Sequence, residues 1–364
     1  MTENVAVNLL TPLAGHLTSG ANRPRLVEFR GVLTPQQLDA PSDEIAAFAR
    51  SAAAHDVGWM RRVSVRGKDR FRWLNGMVTN SIKDLPTNSG AYSLVLNAQG
   101  RIQGDLTVWR EDDQLELQIA ADQYEKLTAH LDHFIIMDDV ELVLHDPAAQ
   151  TATGLTGPRA VDVLARMGLR FPSEQMTSLE TEWNGLDLRV QHGYGVLAEH
   201  FEIWTPIAGL PVLWRALSTA GATPAGSAAL DAFRVAEGIA EYGIDIGERD
   251  LPQETSQMRA LHFDKGCYIG QEIVERIRSR GNVHRHLRSL ELAGPVPEPG
   301  TSLTLDGAEA GHITSATELP LPRGVRRFAI GMIRGEAEAR NLSLHYTVGE
   351  ISGTASILAG SATL

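Results

Sequence analysis

The chain has 364 residues, 43% hydrophobic and 21% charged, which is the make-up of a folded globular protein of two or three domains. Its 45 acidic against 33 basic side chains give a net charge of −12, which excludes bulk attraction to nucleic acid or an anionic membrane, so any polyanion must find a local patch. One cysteine, Cys267, excludes an internal disulfide, a self-held iron–sulfur cluster and a cysteine-rich zinc site, and the lack of both a long apolar run and an early basic flank predicts a cytoplasmic protein.

Residues 1–40 carry little periodicity and are expected to be an irregular or partly stranded lead-in. From Ser42, acidic Asp43 and Glu44 open a helix with Ile45, Ala46, Phe48 and Ala49 on neighbouring turns, predicted to stop near Gly58. Val63–Val65, Tyr92–Leu96 and Leu115–Ile119 read as strands, and Phe71–Val78 and Gln123–Phe134 as helices, followed by a strand at Val140–Leu144. Asn97-Ala98-Gln99-Gly100 is a turn between strands, because Asn and Gly both tolerate positive φ. Gly157-Pro158 starts a helix that Gly168 can stop. Strands are expected at Leu186–Val190 and Phe201–Trp204, with helices at Pro211–Thr219, Ala228–Glu237 and Gln271–Arg280. Beyond Leu287 the segments alternate, with Asp306-Gly307 as a hairpin turn, and predict a small barrel of about six strands. The fold class is therefore α+β, built from antiparallel sheets with helices and a C-terminal β-barrel. The expected domains are 1–55 with 147–240, then 56–146, a connecting segment 241–284, and the barrel 285–364.

Lys265-Gly266-Cys267-Tyr268-Ile269-Gly270-Gln271-Glu272 surrounds the lone thiol. A free Cys is ordinarily a small buried hydrophobe. Here Lys265 would favour the thiolate, and Gly266 and Gly270 remove side-chain bulk so that another molecule can approach, which together describe a reactive-thiol loop. Arg276, Arg278, Arg280, Arg285 and Arg288, with His284 and His286, form a basic run that is either a solvated helix end or a polyanion patch.

The octapeptide resembles the signature of the YgfZ family of folate-binding proteins, relatives of the glycine-cleavage T-protein, an aminomethyltransferase. Supporting matches follow the family order: Val65 to Arg70 with Phe71, Leu74-Asn75-Gly76 and Thr79-Asn80; Leu96 to Ile102; Asp138-Asp139-Val140; Gly157-Pro158; and Phe233 to Gly238 with Tyr242-Gly243-Ile244-Asp245. The resemblance implies a ring of three domains, two of them ferredoxin-like α+β units, around a tetrahydrofolate site without a metal or cluster of its own. It further implies support of iron–sulfur enzymes, including those that modify tRNA. The T-protein's two adjacent carboxylates are replaced here by Gly104-Asp105, which weighs against true aminomethyl transfer.

On this resemblance Glu202 faces the pterin, with Glu199 as its rival, and Arg234 meets the folate carboxylate through two parallel hydrogen bonds. Asp105 senses the reactive nitrogen, Tyr268 offers a hydroxyl and a ring face, and Cys267 with Lys265 carries the chemistry. Gln271 and Glu272 lie at a helix start, where they tie down the loop or cap the helix. The functional expectation is a folate-binding protein that supports iron–sulfur enzymes. The alternatives are a folate-dependent aminomethyl- or methyltransferase and an RNA-binding module, although neither aromatic interleaving nor a nucleic-acid fold signature favours the last.

Overall fold

The computed structural model describes residues 9–20, 23–281, 283–321 and 324–360, with the side chain of Arg280 excepted. Residues 1–8 of the expected lead-in lie outside the described residues. The N-terminal third comprises α1 (Pro12–Thr18), β1 (Leu26–Phe29), β2 (Val32–Pro35), α2 (Pro41–Arg50), β3 (Ala53–Asp56), β4 (Met60–Arg66), α3 (Arg70–Met77), β5 (Gly90–Leu96), β6 (Ile102–Arg110) and β7 (Leu115–Ala120). Then come α4 (Ala121–His133), β8 (Glu141–Leu144), β9 (Gln150–Thr156), α5 (Ala160–Met167), β10 (Thr177–Trp183), β11 (Leu186–His192), β12 (His200–Pro206), α6 (Leu210–Thr219), β13 (Thr223–Ala225) and α7 (Ser227–Glu237). The last part holds α8 (Gln271–Arg280), β14 (Arg285–Ala293), β15 (Ser302–Leu305), β16 (Ala308–Leu321), β17 (Gly324–Arg334), α9 (Gly335–Glu338), β18 (Leu344–Val348) and β19 (Ile351–Ile357).

The helix expected from Ser42 to Gly58 ends instead at Arg50, and Ala53–Asp56 is a strand. Ala52, Ala53 and Ala54 carry no periodic signal; their state is set by pairing, since His55 lies opposite Gly154 of β9. Helix α1 escaped the sequence reading because it is only two turns long, although Thr11 caps it by accepting from the Ala14 amide and Pro12 opens it.

The chain divides into two compact units, and the expected domain 56–146 is shared between them. The first contains Met1–Arg66, Glu111–Phe134 and Glu141–Leu230. Its main sheet runs β10-β11-β12-β9-β3-β13, antiparallel except for β13, which lies parallel to β3. Leu155, Val190, Phe201 and Ile203 of the sheet share a core with Val163 and Leu164 of α5 and Leu213 and Leu217 of α6. Because strand side chains alternate, burying Phe201 and Ile203 there turns His200, Glu202 and Trp204 to the opposite face.

The second unit contains Gly67–Arg110, Ile135–Val140 and Asp231–Leu364. Within it, β5 and β6 form the expected hairpin, with Gly100 at φ 70° and the Asn97 side chain accepting from the Gln99 and Arg101 amides. The C-terminal strands close into a barrel in the order β14-β17-β16-β15-β18-β19, filled by Leu290, Leu303, Ile313, Ile333, Leu344 and Tyr346 among others. The molecule is thus α+β with a closed six-stranded barrel, as the alternating tail predicts.

Candidate functional site

The octapeptide is held to its own unit by backbone chemistry. The Lys265 ammonium donates to the carbonyls of Asn75 at 2.7 Å, Val78 at 2.6 Å and Asn80 at 2.6 Å. Two of these belong to the last turn of α3 and its exit, where orphan carbonyls and the negative dipole end attract a cation. Burial pushes Lys265 down to about 7, while the three acceptors, each needing an N–H, pull the other way. All three ammonium protons are engaged by carbonyls, so Lys265 pegs the end of α3.

Cys267 itself is exposed, as a reactive thiol must be. The Ile269 amide donates to Gly76 O at 3.0 Å, and Thr79 Oγ1 donates to Ala260 O at 2.6 Å, strapping the segment before α8 onto the segment after α3. Gly270 has φ 80°, and a Cβ there would lie 2.6 Å from Asn97 O and 3.0 Å from Gly100 Cα, so the loop rests directly on the hairpin turn. Gly266 faces open space. Tyr268 is buried with its ring 4.9 Å from the Lys265 nitrogen, and burial, with Glu275 adding to it, pushes its hydroxyl up to about 12. Its ring is therefore committed to the loop. Gln271 and Glu272 open α8, and neither caps it through a side chain: Gly270 stands at the cap, and Glu272 contributes only an acidic charge to the first turn.

Asp105 lies on β6 opposite Leu94, and Tyr92 Oη donates to its Oδ2 at 2.7 Å. Tyr92 was not anticipated as a site residue, although its place two positions before Leu94 on a paired strand puts it on the same face. The Arg259 guanidinium lies 4.1 Å from the Tyr92 ring centre, and the Asn80 amide donates to both Tyr92 O and Arg259 O. The tyrosine that holds this carboxylate is therefore itself fixed from two sides.

Arg234 sits in a buried ion cluster. Its guanidinium donates to Asp245 at 2.6 Å, Asp231 at 2.8 Å, Ile239 O at 2.8 Å and Ser315 at 3.3 Å, and lies 3.3 Å from Glu241. Burial works against the charge, but Asp245, Asp231 and Glu241 together hold its pKa above the usual arginine value. Asp245 also accepts from Thr314 and Ser315, each at 2.6 Å, and from the Glu241 amide. The expected parallel pair of hydrogen bonds to a ligand carboxylate meets a guanidinium already matched to protein carboxylates, so Arg234 ties α7 to β16.

The basic run is also largely paired within the protein. Arg285 bridges to Asp250 and Glu254, and Arg288 and His286 both bond Glu338. Arg278 lies over Phe263 and bonds its carbonyl. The side chain of Arg280 is outside those described.

In the first unit, Glu199 and Glu202 differ sharply. Glu199 is 41% exposed and its carboxylate lies 2.6 Å from His192 Nε2. Glu202 is 14% exposed, and its Oε2 is fully buried with no hydrogen-bond partner, while Oε1 lies 3.7 Å from His200 Nε2. A polar oxygen buried without a donor is costly, and a ligand N–H would relieve it. Two clefts of about 570 and 510 Å³ in this unit are lined by neither glutamate. Among the described residues, no cluster of His, Cys, Asp and Glu could hold a metal ion, and no helix is long and apolar enough to cross a membrane.

The GCVT N-terminal domain pattern matches residues 16–265. An aminomethyltransferase of Rubrobacter xylanophilus is 30% identical over 321 residues, covering 85% of this chain and 83% of that protein. A putative chloroplastic transferase of Arabidopsis thaliana is 25% identical over 330 residues, covering 88% and 74%. The crystal structure of glycine cleavage system aminomethyltransferase T from Bartonella henselae shares the fold, with a TM-score of 0.85 over 98% of both chains at 20% identity.

Proposed function

The chain belongs to the family of the GCVT N-terminal domain, and from that premise we propose that it binds a reduced folate and transfers the one-carbon unit the folate carries. The observation that supports this reading is the buried, unpartnered Oε2 of Glu202, an acceptor that an N–H of the 2-amino-4-oxo edge of a pterin would satisfy. Within the second unit, Asp105, held by Tyr92, is a carboxylate able to accept or return a proton. Tetrahydrofolate, when bound, supplies the nitrogen that carries the one-carbon unit. Glycine at position 104 leaves a single carboxylate at the end of β6, so the chain handles one proton there, without the paired carboxylates of the T-protein pattern. Of the transferase and iron–sulfur readings, the relatives named aminomethyltransferase favour the first.

Calorimetric titration of wild type and Glu202→Gln with 5-formyltetrahydrofolate tests the site. Saturable binding that weakens about tenfold or more in the variant is expected, since a charged hydrogen bond contributes about 1.5–3 kcal/mol. Absence of saturable binding to wild type up to millimolar ligand would overturn it.

A second reading rests on the exposed Cys267: the protein supports iron–sulfur enzymes of the YgfZ type, the thiol acting on a partner. Cys267→Ala would then lose that support in cells while keeping folate affinity, and full support by the variant would remove the reading.

A further inference from the structure

The opposite face of the main sheet in the first unit carries a row of hydrogen-bonding groups that leads to Glu202. Two adjacent rungs build it. In one, His55, Gly154, Glu202 and Gln191 stand side by side across β3, β9, β12 and β11; in the other, Ala53, Thr156 and His200 do. The His55 ring occupies the space where Gly154 lacks a side chain, and the His200 ring lies 2.6 Å from where a Cβ on Gly193 would be. The two imidazoles stack at 5.8 Å between centroids. Thr156 Oγ1 lies between them, 3.0 Å from His55 Nε2 and 2.6 Å from His200 Nδ1.

Hydrogen-bond direction follows from the inner end. His55 is 1% exposed, and burial, reinforced by His200, pushes it down to about 3, so it is neutral. Its Nδ1 lies 3.4 Å from Asp56 O, which can only accept, so Nδ1 bears the proton and Nε2 accepts. The single hydroxyl proton of Thr156 must then go to His55, which leaves the Thr156 oxygen to accept from His200 Nδ1–H. His200 Nε2 faces Glu202 Oε1 at 3.7 Å. A bare lone pair against a carboxylate oxygen would be repulsive, whereas an N–H there is an ion-pair partner.

We propose that His200 is a positioning residue: the His55–Thr156 relay fixes the proton on its Nδ1, Glu202 Oε1 draws a proton to its Nε2, and the doubly protonated ring holds Oε1, leaving Oε2 as the acceptor for the N–H edge of a cyclic guanidine-like ligand. The inference deepens the folate reading and rests on it for the ligand's identity. Thr156 thereby orients a carboxylate that it does not touch, by way of the ring between them.

The test is a two-bond nitrogen–proton spectrum of ¹⁵N-histidine-labelled protein at neutral pH, with His200 assigned by the signal lost in His200→Gln. Both nitrogens of His200 should be protonated and only Nδ1 of His55. Any other pattern overturns the relay. Thr156→Val should return His200 to a neutral ring and weaken 5-formyltetrahydrofolate binding about tenfold, while Thr156→Ser, which keeps the hydroxyl, should bind within threefold of wild type. Equal spectra for the Val and Ser variants would overturn the proposal. Should the tautomers be as inferred while wild type binds no reduced folate, the relay is supported and the folate reading falls; folate binding with the wrong tautomers removes the relay alone.

Discussion

Lys265→Met separates a structural peg from a thiol activator. The substitution keeps the unbranched stem against Tyr268 and removes the ammonium that donates to three carbonyls at 2.6–2.7 Å. Each charge-assisted bond is worth about 1.5–3 kcal/mol, but the burial that pushes the ammonium down to about 7 is relieved in the variant, which offsets part of the sum. A net local loss of about 2–3 kcal/mol follows, equivalent to roughly 30- to 150-fold faster opening at tenfold per 1.4 kcal/mol. Hydrogen exchange by mass spectrometry on peptides covering residues 73–80 reads it directly, and alkylation of Cys267 by iodoacetamide serves as the control. The expected result is lost protection at the end of α3 with the alkylation rate within about twofold of wild type. Unchanged protection together with slowed alkylation would refute the argument and restore the electrostatic role for Lys265.

Asp245→Ala removes the carboxylate that accepts from Arg234, Thr314 and Ser315, and should lower stability by about 3–5 kcal/mol in urea titration, because a buried guanidinium loses its closest partner. An unchanged urea midpoint would count against the cluster. Gly270→Ala forces φ 80° on a residue with a Cβ 2.6 Å from Asn97 O, and should cost about 1–3 kcal/mol for the backbone alone; a variant melting with wild type would show that the loop does not rest on the hairpin. Acid should destabilise the protein through His55: held near 3 in the fold and 6.5 when unfolded, it makes the unfolded chain bind more protons, so stability falls as pH drops from about 6.5 towards 3. Asp56, raised to about 6 by burial, binds its proton first in the fold and opposes that loss between about 6 and 3.8. Asp56→Asn should therefore steepen the decline by up to about 1.4 kcal/mol per pH unit in this window, and an equal slope would contradict the assignment.

Elements with their own signals were legible from residues alone. Gly168 ends α5 at φ 64°, Asp306-Gly307 turns the barrel hairpin, and the Asn97–Gly100 turn joins β5 to β6. The strands at 53–56 and 150–156 were not legible, because alanine and threonine there answer to sheet pairing and not to local periodicity. The conspicuous motifs were legible, but their contacts were not. Asn75, Gly76 and Asn80 receive the octapeptide through their backbone carbonyls, which no side-chain chemistry announces. Gly67 lies against the Asp139 carbonyl, whose amide in turn donates to Asp69, explaining why those two motifs occur together. His55, Thr156 and His200 are 101 and 44 residues apart along the chain at their two contacts, so only the folded sheet brings them into one row.

The Arg234–Asp245–Ser315 contact means that the matched region, residues 16–265, is not a removable module. A fragment cut there would strand an aspartate without its two hydroxyl donors from the barrel, and would leave α3 with the anchoring lysine as its final, fraying residue. Chimeras between relatives would do better to exchange Asp231–Leu364 whole, together with Gly67–Arg110 and Ile135–Val140 of the same unit. The unit that such an exchange must respect is a spatial body, assembled from three separate stretches of the chain.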